Sequence, residues 1–416
     1  MNCQGYGWAF GLVVACLLIT ASPALAQEAG KSSIKLGGAI GINFAYGTYE
    51  GDDDRGENIG GIDIDVFRLN ADLKHQNVIG RLEYRWQAGG GRAYDTYSMI
   101  HTAWLGYDAG ASGTFKAGIV RVPFGPTAYG VSSGFFFDQH WYVGLSDDMD
   151  LGVRWSASFD RLALDVAYYP SSEFQTDGDS LESARYGYDV VRWEETVDAD
   201  GTVNWGVGEN GFEERHQFNL RGIYALEGGT EVGASLQYGL LQGTNIGGDD
   251  SGDHVAVSGH MKNALGSFTL YTQLTYYLYN ITDDTPWGTG DLIPMGAYDF
   301  AWPVASEGIV PALSLRYIGV DASGVAWLDS VTPYVEWSTV MKPVDRLNDS
   351  TLVTVGATWT IGALYMYSDL LLSDGNFYIG NEGDDYGNIY NGVGDLGANG
   401  NNDWNWRINF NFRYYF

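Results

Sequence analysis

The sequence predicts an all-β chain closed as a transmembrane antiparallel β-barrel of about 16 strands, and three observations carry that reading. The first is the C-terminus, where Trp404, Trp406, Ile408, Phe410, Phe412, Tyr414 and Phe416 share one parity while Asn405, Arg407, Asn409, Asn411 and Arg413 share the other. Side chains alternate along a strand, so one face is aromatic and the other polar, which suits a wall between lipid and water. The second is the rhythm of connections, short on one side of the expected sheet and long on the other. The third is composition: 29 Tyr, 14 Trp and 58 Gly against 10 Pro fit strands, interfacial girdles and glycine-bearing loops better than helices.

The elements follow in order. Met1 to Ala26 carries no charged side chain, holds an apolar run from Phe10 to Ile19 and ends in Ala24-Leu25-Ala26, the small-x-small pattern of a secretory signal peptide, so residues 1–26 are expected to be a leader and 27–416 a single barrel. Both cysteines, Cys3 and Cys16, fall in the leader, which leaves the mature chain without disulfide or thiolate chemistry. After Ala26 no apolar run reaches the roughly 18 residues of a helical span. Any membrane crossing belongs to strands.

Period-two segments run from Ser33 to Gly47, Gly60 to Leu73, Val78 to Gln87, Tyr97 to Tyr107, Thr114 to Val122, Leu151 to Phe159, Leu162 to Tyr169 and Arg215 to Ala225. They continue at Glu231 to Gln242, Asp253 to Met261, Ser267 to Asn280, Gly308 to Ile318, Ala326 to Met341, Leu352 to Thr360, Gly362 to Leu372 and Asp403 to Phe416. In Gly60 to Leu73 the apolar parity changes between Val66 and Phe67, with Ile62, Ile64 and Val66 outward first, and a β-bulge would reconcile the two halves. Joints such as Lys74 to Asn77 and Asp160-Arg161 are short. Thr48 to Ile59, Pro123 to Asp150, Pro170 to Glu214, Ile281 to Glu307 and Ser373 to Asn402 are expected to be long extracellular loops, with both termini on the short-turn side. A soluble two-sheet sandwich is the competing all-β fold, but its strands run about five or six residues where several here run ten or more.

From Val66 to Gly125 the chain carries Phe67-Arg68-Leu69-Asn70-Ala71-Asp72-Leu73, then Gly80-Arg81-Leu82-Glu83-Tyr84-Arg85-Trp86, Ala103-Trp104-Leu105-Gly106-Tyr107 and Gly118-Ile119-Val120-Arg121-Val122-Pro123-Phe124-Gly125. This run resembles the phosphate-selective porin O and P family, which shows similar segments in the same order. The resemblance implies a 16-stranded, usually trimeric porin whose third long loop, here Pro123 to Asp150, folds into the pore. Proline has no amide hydrogen for a ladder, so Pro123 and Pro126 suit a chain that leaves the strand there.

Parity alone assigns the lumen. With the apolar set turned to lipid, Arg68, Arg81, Glu83, Arg85, His101, Arg154, Arg221, Arg316, Arg407 and Arg413 face the interior, since a cation on the lipid face costs about 2–4 kcal/mol near the midplane. The Pro123 to Asp150 loop carries Asp138, Asp147, Asp148 and Asp150 and no Lys or Arg. Arginines facing these carboxylates across a narrow opening would create a transverse field that filters solutes by charge. The plainer expectation is that the arginines pair with Glu83, Asp65 or Asp165 and simply fill the wall. The loop rings Phe135 to Phe137 and His140 to Tyr142 either anchor the loop or offer a surface to sugars.

The net charge of −30, from 22 Lys and Arg against 52 Asp and Glu, makes nucleic acid an implausible partner. Only six lysines are present, and the loops hold Asp52-Asp53-Asp54, Asp249-Asp250 and Asp384-Asp385. A negative mouth enriches cations within a Debye length of about 8 Å. The expectation is therefore an outer-membrane porin for small hydrophilic solutes and ions, non-specific or weakly cation-selective, with a phosphate- or anion-selective porin as the alternative. Expected partners are outer-membrane lipid and lipopolysaccharide, the barrel assembly machinery that reads Phe416, and two further copies in a homotrimer. No cofactor is expected beyond weak Ca²⁺ or Mg²⁺ at acidic loops such as Gly51 to Asp54 and Asp249 to Asp253, which lack the spacing of an EF-hand. A barrel hydrolase is the reading from another class, but the chain after Ala26 has no Cys nucleophile and no His-x-x-x-His pair among its six histidines.

Overall fold

A strand in hydrocarbon must give every backbone N–H and C=O a partner, and only a sheet closed on itself leaves none over. The computed structural model meets that demand. It describes residues 32–47, 62–87, 97–176, 184–197, 201, 203–246, 251–298, 300–345, 347–376 and 404–416. The expected leader and the clusters Gly51 to Asp54, Asp249-Asp250 and Asp384-Asp385 lie outside the described residues.

The strands are β1 (Ser32–Gly47), β2 (Ile62–His75), β3 (Val78–Gln87), β4 (Tyr97–Asp108), β5 (Thr114–Arg121), β6 (Met149–Phe159), β7 (Leu162–Ser172), β8 (Asp189–Val190), β9 (Trp193–Val197), β10 (Val203–Val207) and β11 (Gly211–Ala225). They continue as β12 (Thr230–Thr244), β13 (Ser251–Leu265), β14 (Phe268–Asn280), β15 (Leu292–Ala297), β16 (Phe300–Ala305), β17 (Glu307–Tyr317), β18 (Ser330–Val340), β19 (Ser350–Ile361), β20 (Leu364–Asp374) and β21 (Asn405–Tyr415). All but β8, β9, β10, β15 and β16 form one closed antiparallel barrel of 16 strands, in which each pairs with the next and β21 returns to β1.

The seam explains the C-terminal pattern. Gly38 and Phe416 exchange backbone hydrogen bonds of 3.0 and 3.2 Å, and a Cβ on Gly38 would stand 2.5 Å from the Phe416 ring, so glycine lets the terminal aromatic lie across β1. On the inner face, Asn409 and Asn411 both bond Asn43, and Arg413 bonds Asp65. The outer face is apolar: Leu36, Leu105, Phe218 and Leu274 are all more than half exposed, as lipid contact requires of side chains that water would not tolerate in such numbers. Tyr107, Phe115, Phe159, Tyr224, Phe268 and Tyr414 sit exposed near the short turns, and Tyr46, Tyr238, Tyr276 and Trp404 near the other end. These are the two girdles of a membrane barrel.

Three expectations need correction. The bulge in β2 is at Asp65, because Gly41 faces Val66 while Ile42 already faces Ile64. Val66, expected outward, is consequently 3% exposed, while Ile62 and Ile64 remain at the lipid face. The strand expected from Ala326 begins only at Ser330, and residues 318–329 make a longer turn. The segments Pro170 to Glu214 and Ile281 to Glu307, expected to be loops, contain β8 to β10 and the hairpin β15–β16, and β8 adds to β15 in a three-stranded sheet. That sheet has a core. Met295, Trp302 and Val304 are fully buried with Tyr142, Val143 and Leu145 of the third loop and with Tyr277 and Tyr279 of β14.

Candidate functional site

Pro123 ends β5 as expected, and the loop it starts is anchored to strands on several sides of the barrel. Gly125 N–H donates to Ser235 Oγ on β12 (3.1 Å), and His140 Nε2 lies 2.8 Å from Thr275 Oγ1 on β14. Glu336 on β18 accepts from Ser132 Oγ and Ser133 N–H (both 2.6 Å) and from Ser314 Oγ (2.8 Å), while Asp369 on β20 accepts from Phe135 N–H (3.0 Å). Arg316 donates to the carbonyls of Val131 and Ser132 at 2.6 and 3.1 Å. A segment bonded to β12, β14, β17, β18 and β20 at once lies across the lumen.

Beside it runs a cavity of about 640 Å³. Gln87 and Tyr97, at the long-loop ends of β3 and β4, line it together with Thr269, Ile318 and Thr332 near the short-turn ends of β14, β17 and β18, so it spans the height of the wall. Its basic lining is Arg68, Arg85, Arg316 and Arg413, and its acidic lining is Asp65 and Asp147. Each of these guanidiniums lies over a ring: Arg68 over Tyr415 (4.9 Å), Arg85 over Tyr186 (4.5 Å), Arg316 over Tyr271 (4.1 Å) and Arg413 over Phe135 (5.2 Å). Such stacking contributes about 0.5–2 kcal/mol each and holds the cation in a fixed plane.

The expected lumen arginines form two clusters. Glu83, almost wholly buried, takes Arg68 at 3.3 Å, Arg81 at 2.9 Å and Arg85 at 2.7 Å, and Arg81 also reaches Asp72 at 2.9 Å. Asp165 takes Arg154 and Arg221, each at 2.7 Å. With Arg413 on Asp65, six guanidiniums share four carboxylates. Arg407 is buried over the Phe136 ring at 4.6 Å. His101 is the extra residue of a bulge in β4, buried edge-on to Tyr186, with Nδ1 2.8 Å from Thr102 Oγ1 and 3.7 Å from Glu83.

The loop carboxylates do not form the opposing ring that was expected. Asp138 is used up by its own loop, accepting from the N–H groups of Val131 and His140 and lying 2.8 Å from His140 Nδ1. Asp147 alone of the four lines the cavity, paired with Arg121 at 2.7 Å and bonded by the Tyr186 hydroxyl. Burial raises its carboxyl above the ordinary range even against Arg121. Asp148 and Asp150 turn away into the rim with Glu173 and Asp189. Burial, then the Asp150, Asp189 and Glu173 carboxylates, push Asp148 well up.

Several lining residues were missed from the sequence: Tyr129, Tyr186, Tyr298, Tyr365 and Tyr415. Tyr415 was legible, since it has the parity of Arg413. Tyr186 and Tyr298 reach the lumen from loops, where parity says nothing. The loop aromatics Phe135 to Phe137, Trp141 and Tyr142 line the cavity as well.

No protein-family model and no curated protein matches the sequence. Among solved structures, the chain is similar to the outer-membrane channel DcaP of Acinetobacter baumannii at 12% identity and a TM-score of 0.55, over 93% of this chain and 98% of that one. An anion-selective porin from Comamonas acidovorans matches at 13% identity and 0.53, covering 93% and 100%. The trimer form of OmpT, an outer membrane protein of Vibrio cholerae, matches at 14% identity and 0.52, again covering 93% and 100%. At these identities the likeness concerns the fold, that of a porin-like outer-membrane barrel.

Proposed function

We propose that the protein is an outer-membrane porin through which small hydrophilic solutes diffuse, with a preference for anions. The observation that carries this is the cavity beside the third loop, which reaches from one rim of the wall to the other and is lined by four ring-stacked arginines against two carboxylates that are already ion-paired. Guanidiniums in excess over carboxylates give a positive potential inside a low-dielectric wall, which concentrates anions. The cation preference expected from Asp52 to Asp54, Asp249-Asp250 and Asp384-Asp385 rested on residues outside the described ones. The described lumen argues the other way.

A general anion preference fits better than a site dedicated to phosphate. Arg68, Arg85 and Arg413 are each committed to a carboxylate as well as a ring, so they supply field more than free bidentate forks. The reading is of a conduit and not a catalyst: His101, the histidine beside a carboxylate in the wall, is packed against Tyr186 and lies outside the cavity lining. A homotrimer, contact with lipopolysaccharide and recognition of Phe416 by the assembly machinery complete the proposal, the first supported by the trimeric form of the Vibrio cholerae neighbour. Liposome swelling tests it, using solutes of equal size and different charge. A sugar acid should enter faster than the neutral sugar, and the amino sugar slowest. Equal rates would remove the charge preference, and no swelling would remove the channel.

A further inference from the structure

At the extracellular rim, four carboxylates from separate segments meet. Asp148 at the end of the third loop, Asp150 at the start of β6, Glu173 just beyond β7 and Asp189 in β8 each present an oxygen, and these atoms lie within 4.8 Å of one another. All four side chains are buried, and like charges repel strongly where water is excluded. Arg185 donates to Asp189 Oδ2 at 3.1 Å and to Ser172 Oγ at 2.9 Å, and its charge also acts on Asp150 and Glu173.

A second observation is independent of the crowding. Asp148 Oδ1, Asp150 Oδ1 and Glu173 Oε2 are buried without a hydrogen-bond donor. Gln217 on β11, 2% exposed, donates Nε2 to Asp150 Oδ2 at 3.0 Å and leaves its own Oε1 without a partner too. Two of these bare oxygens lie on the same side of Gly187, where a Cβ would stand 2.7 Å from Asp148 Oδ1 and 3.0 Å from Glu173 Oε2, so only glycine lets them approach. Buried oxygens that lack donors have the chemistry of ligands to a hard cation. Two oxygens on opposite sides of Ca²⁺, at about 2.4 Å each, stand about 4.8 Å apart, so the spread of the cluster suits one ion of that size. Mg²⁺ keeps several of its waters and an octahedral shell, for which a buried, all-carboxylate pocket is the poorer host.

We propose that Asp148, Asp150, Glu173 and Asp189 bind one Ca²⁺, which ties the end of the third loop to the segment after β7 and to the β8–β15 sheet. The site differs from the acidic loops singled out in the sequence, and its role is to lock the rim, separate from conduction. Neutralising charge at the rim lets four elements with like-charged ends pack together.

The test uses the full mature chain, refolded in detergent without lipopolysaccharide and stripped with EDTA. Calorimetric titration with CaCl₂ should show one equivalent per chain, and Tb³⁺ luminescence should report the same site. Asp148→Asn/Asp150→Asn should weaken Ca²⁺ by more than about tenfold. Heat-modifiable gel mobility checks that the barrel has formed, and Glu173→Gln, which lies outside the barrel strands, decides the matter if the double variant does not fold. Ca²⁺ should also raise the melting temperature of the wild type and slow protease cleavage after β7, effects that Glu173→Gln should reduce. Absence of saturable binding by the wild type, or binding by folded variants equal to wild type, overturns the site. Either result leaves the anion preference of the pore untouched, since that is read by solute flux.

Discussion

Where the third loop packs against β8, β15 and β16 the barrel interior is filled, whereas along β2 to β4 and the short-turn halves of β14, β17, β18, β19 and β20 it is open. In the filled part, Trp302 lies tilted against Tyr188 with centroids 4.4 Å apart, and Met295 and Val304 have no exposed surface. In the open part the side chains are as large and as aromatic, yet a cavity remains, with guanidiniums lying over Tyr415, Tyr186, Tyr271 and Phe135 at its edge. Bulk alone therefore does not close a pore. The difference lies in what accompanies the rings: on the filled side apolar loop side chains pack against the third loop, and on the open side guanidiniums lie over rings at the edge of a path.

The contrast can be broken from its filled side first. Trp302→Ala removes the largest fully buried side chain among the described residues and should destabilise the rim by about 3–5 kcal/mol. Proteolysis of the segment between β7 and β11 in folded barrels would then accelerate, while the barrel itself resists. Glu336→Gln should act more mildly, since it weakens two hydrogen bonds that hold the third loop and one from Ser314 of β17, with a cost of about 1–3 kcal/mol. Single-channel recordings should show noisier, larger openings as the loop leaves the wall. Unchanged current would mean that the loop does not limit the path.

On the open side, Arg316→Gln should reduce anion preference without altering folding, because Arg316 donates to loop carbonyls and pairs with no carboxylate among its hydrogen bonds. The expected change is a shift of the anion-to-cation permeability ratio toward unity, small beside the loop variants. Smallest of all on conduction is deletion of Phe416. It breaks the backbone exchange with Gly38 at the seam, so the yield of inserted barrel should fall while channels that do insert conduct as before.

The open side was far more legible in the sequence than the filled one, for a physical reason. Period two assigns a face to every strand residue, and it placed Arg68, Arg85, Arg316 and Arg413 inward from alternation alone. It also recovered sixteen strands, because membrane strands are long and their outer face is uniformly apolar. The rim has no such period. Asp189 and Glu173 come from a stretch with no alternation, and Leu292 to Ala305 is interrupted by Pro294, Gly296 and Pro303, so it reads as a loop. What makes it a sheet is pairing with β8 and burial against the third loop, information that resides in tertiary contact. The rim acids were partly visible: Asp148 and Asp150 were singled out, but as facing the pore. Their burial with Glu173 depended on how loops from three places meet.

Arginines of the open half are proposed to set the selectivity, and the reversal potential under a KCl gradient across a planar bilayer reads it. The wild-type channel should give the sign of a chloride-preferring pore, and Arg68→Glu/Arg85→Glu/Arg316→Glu should invert that sign in barrels shown to be folded. A cation-selective wild type, or a triple variant with the wild-type potential, would contradict the account.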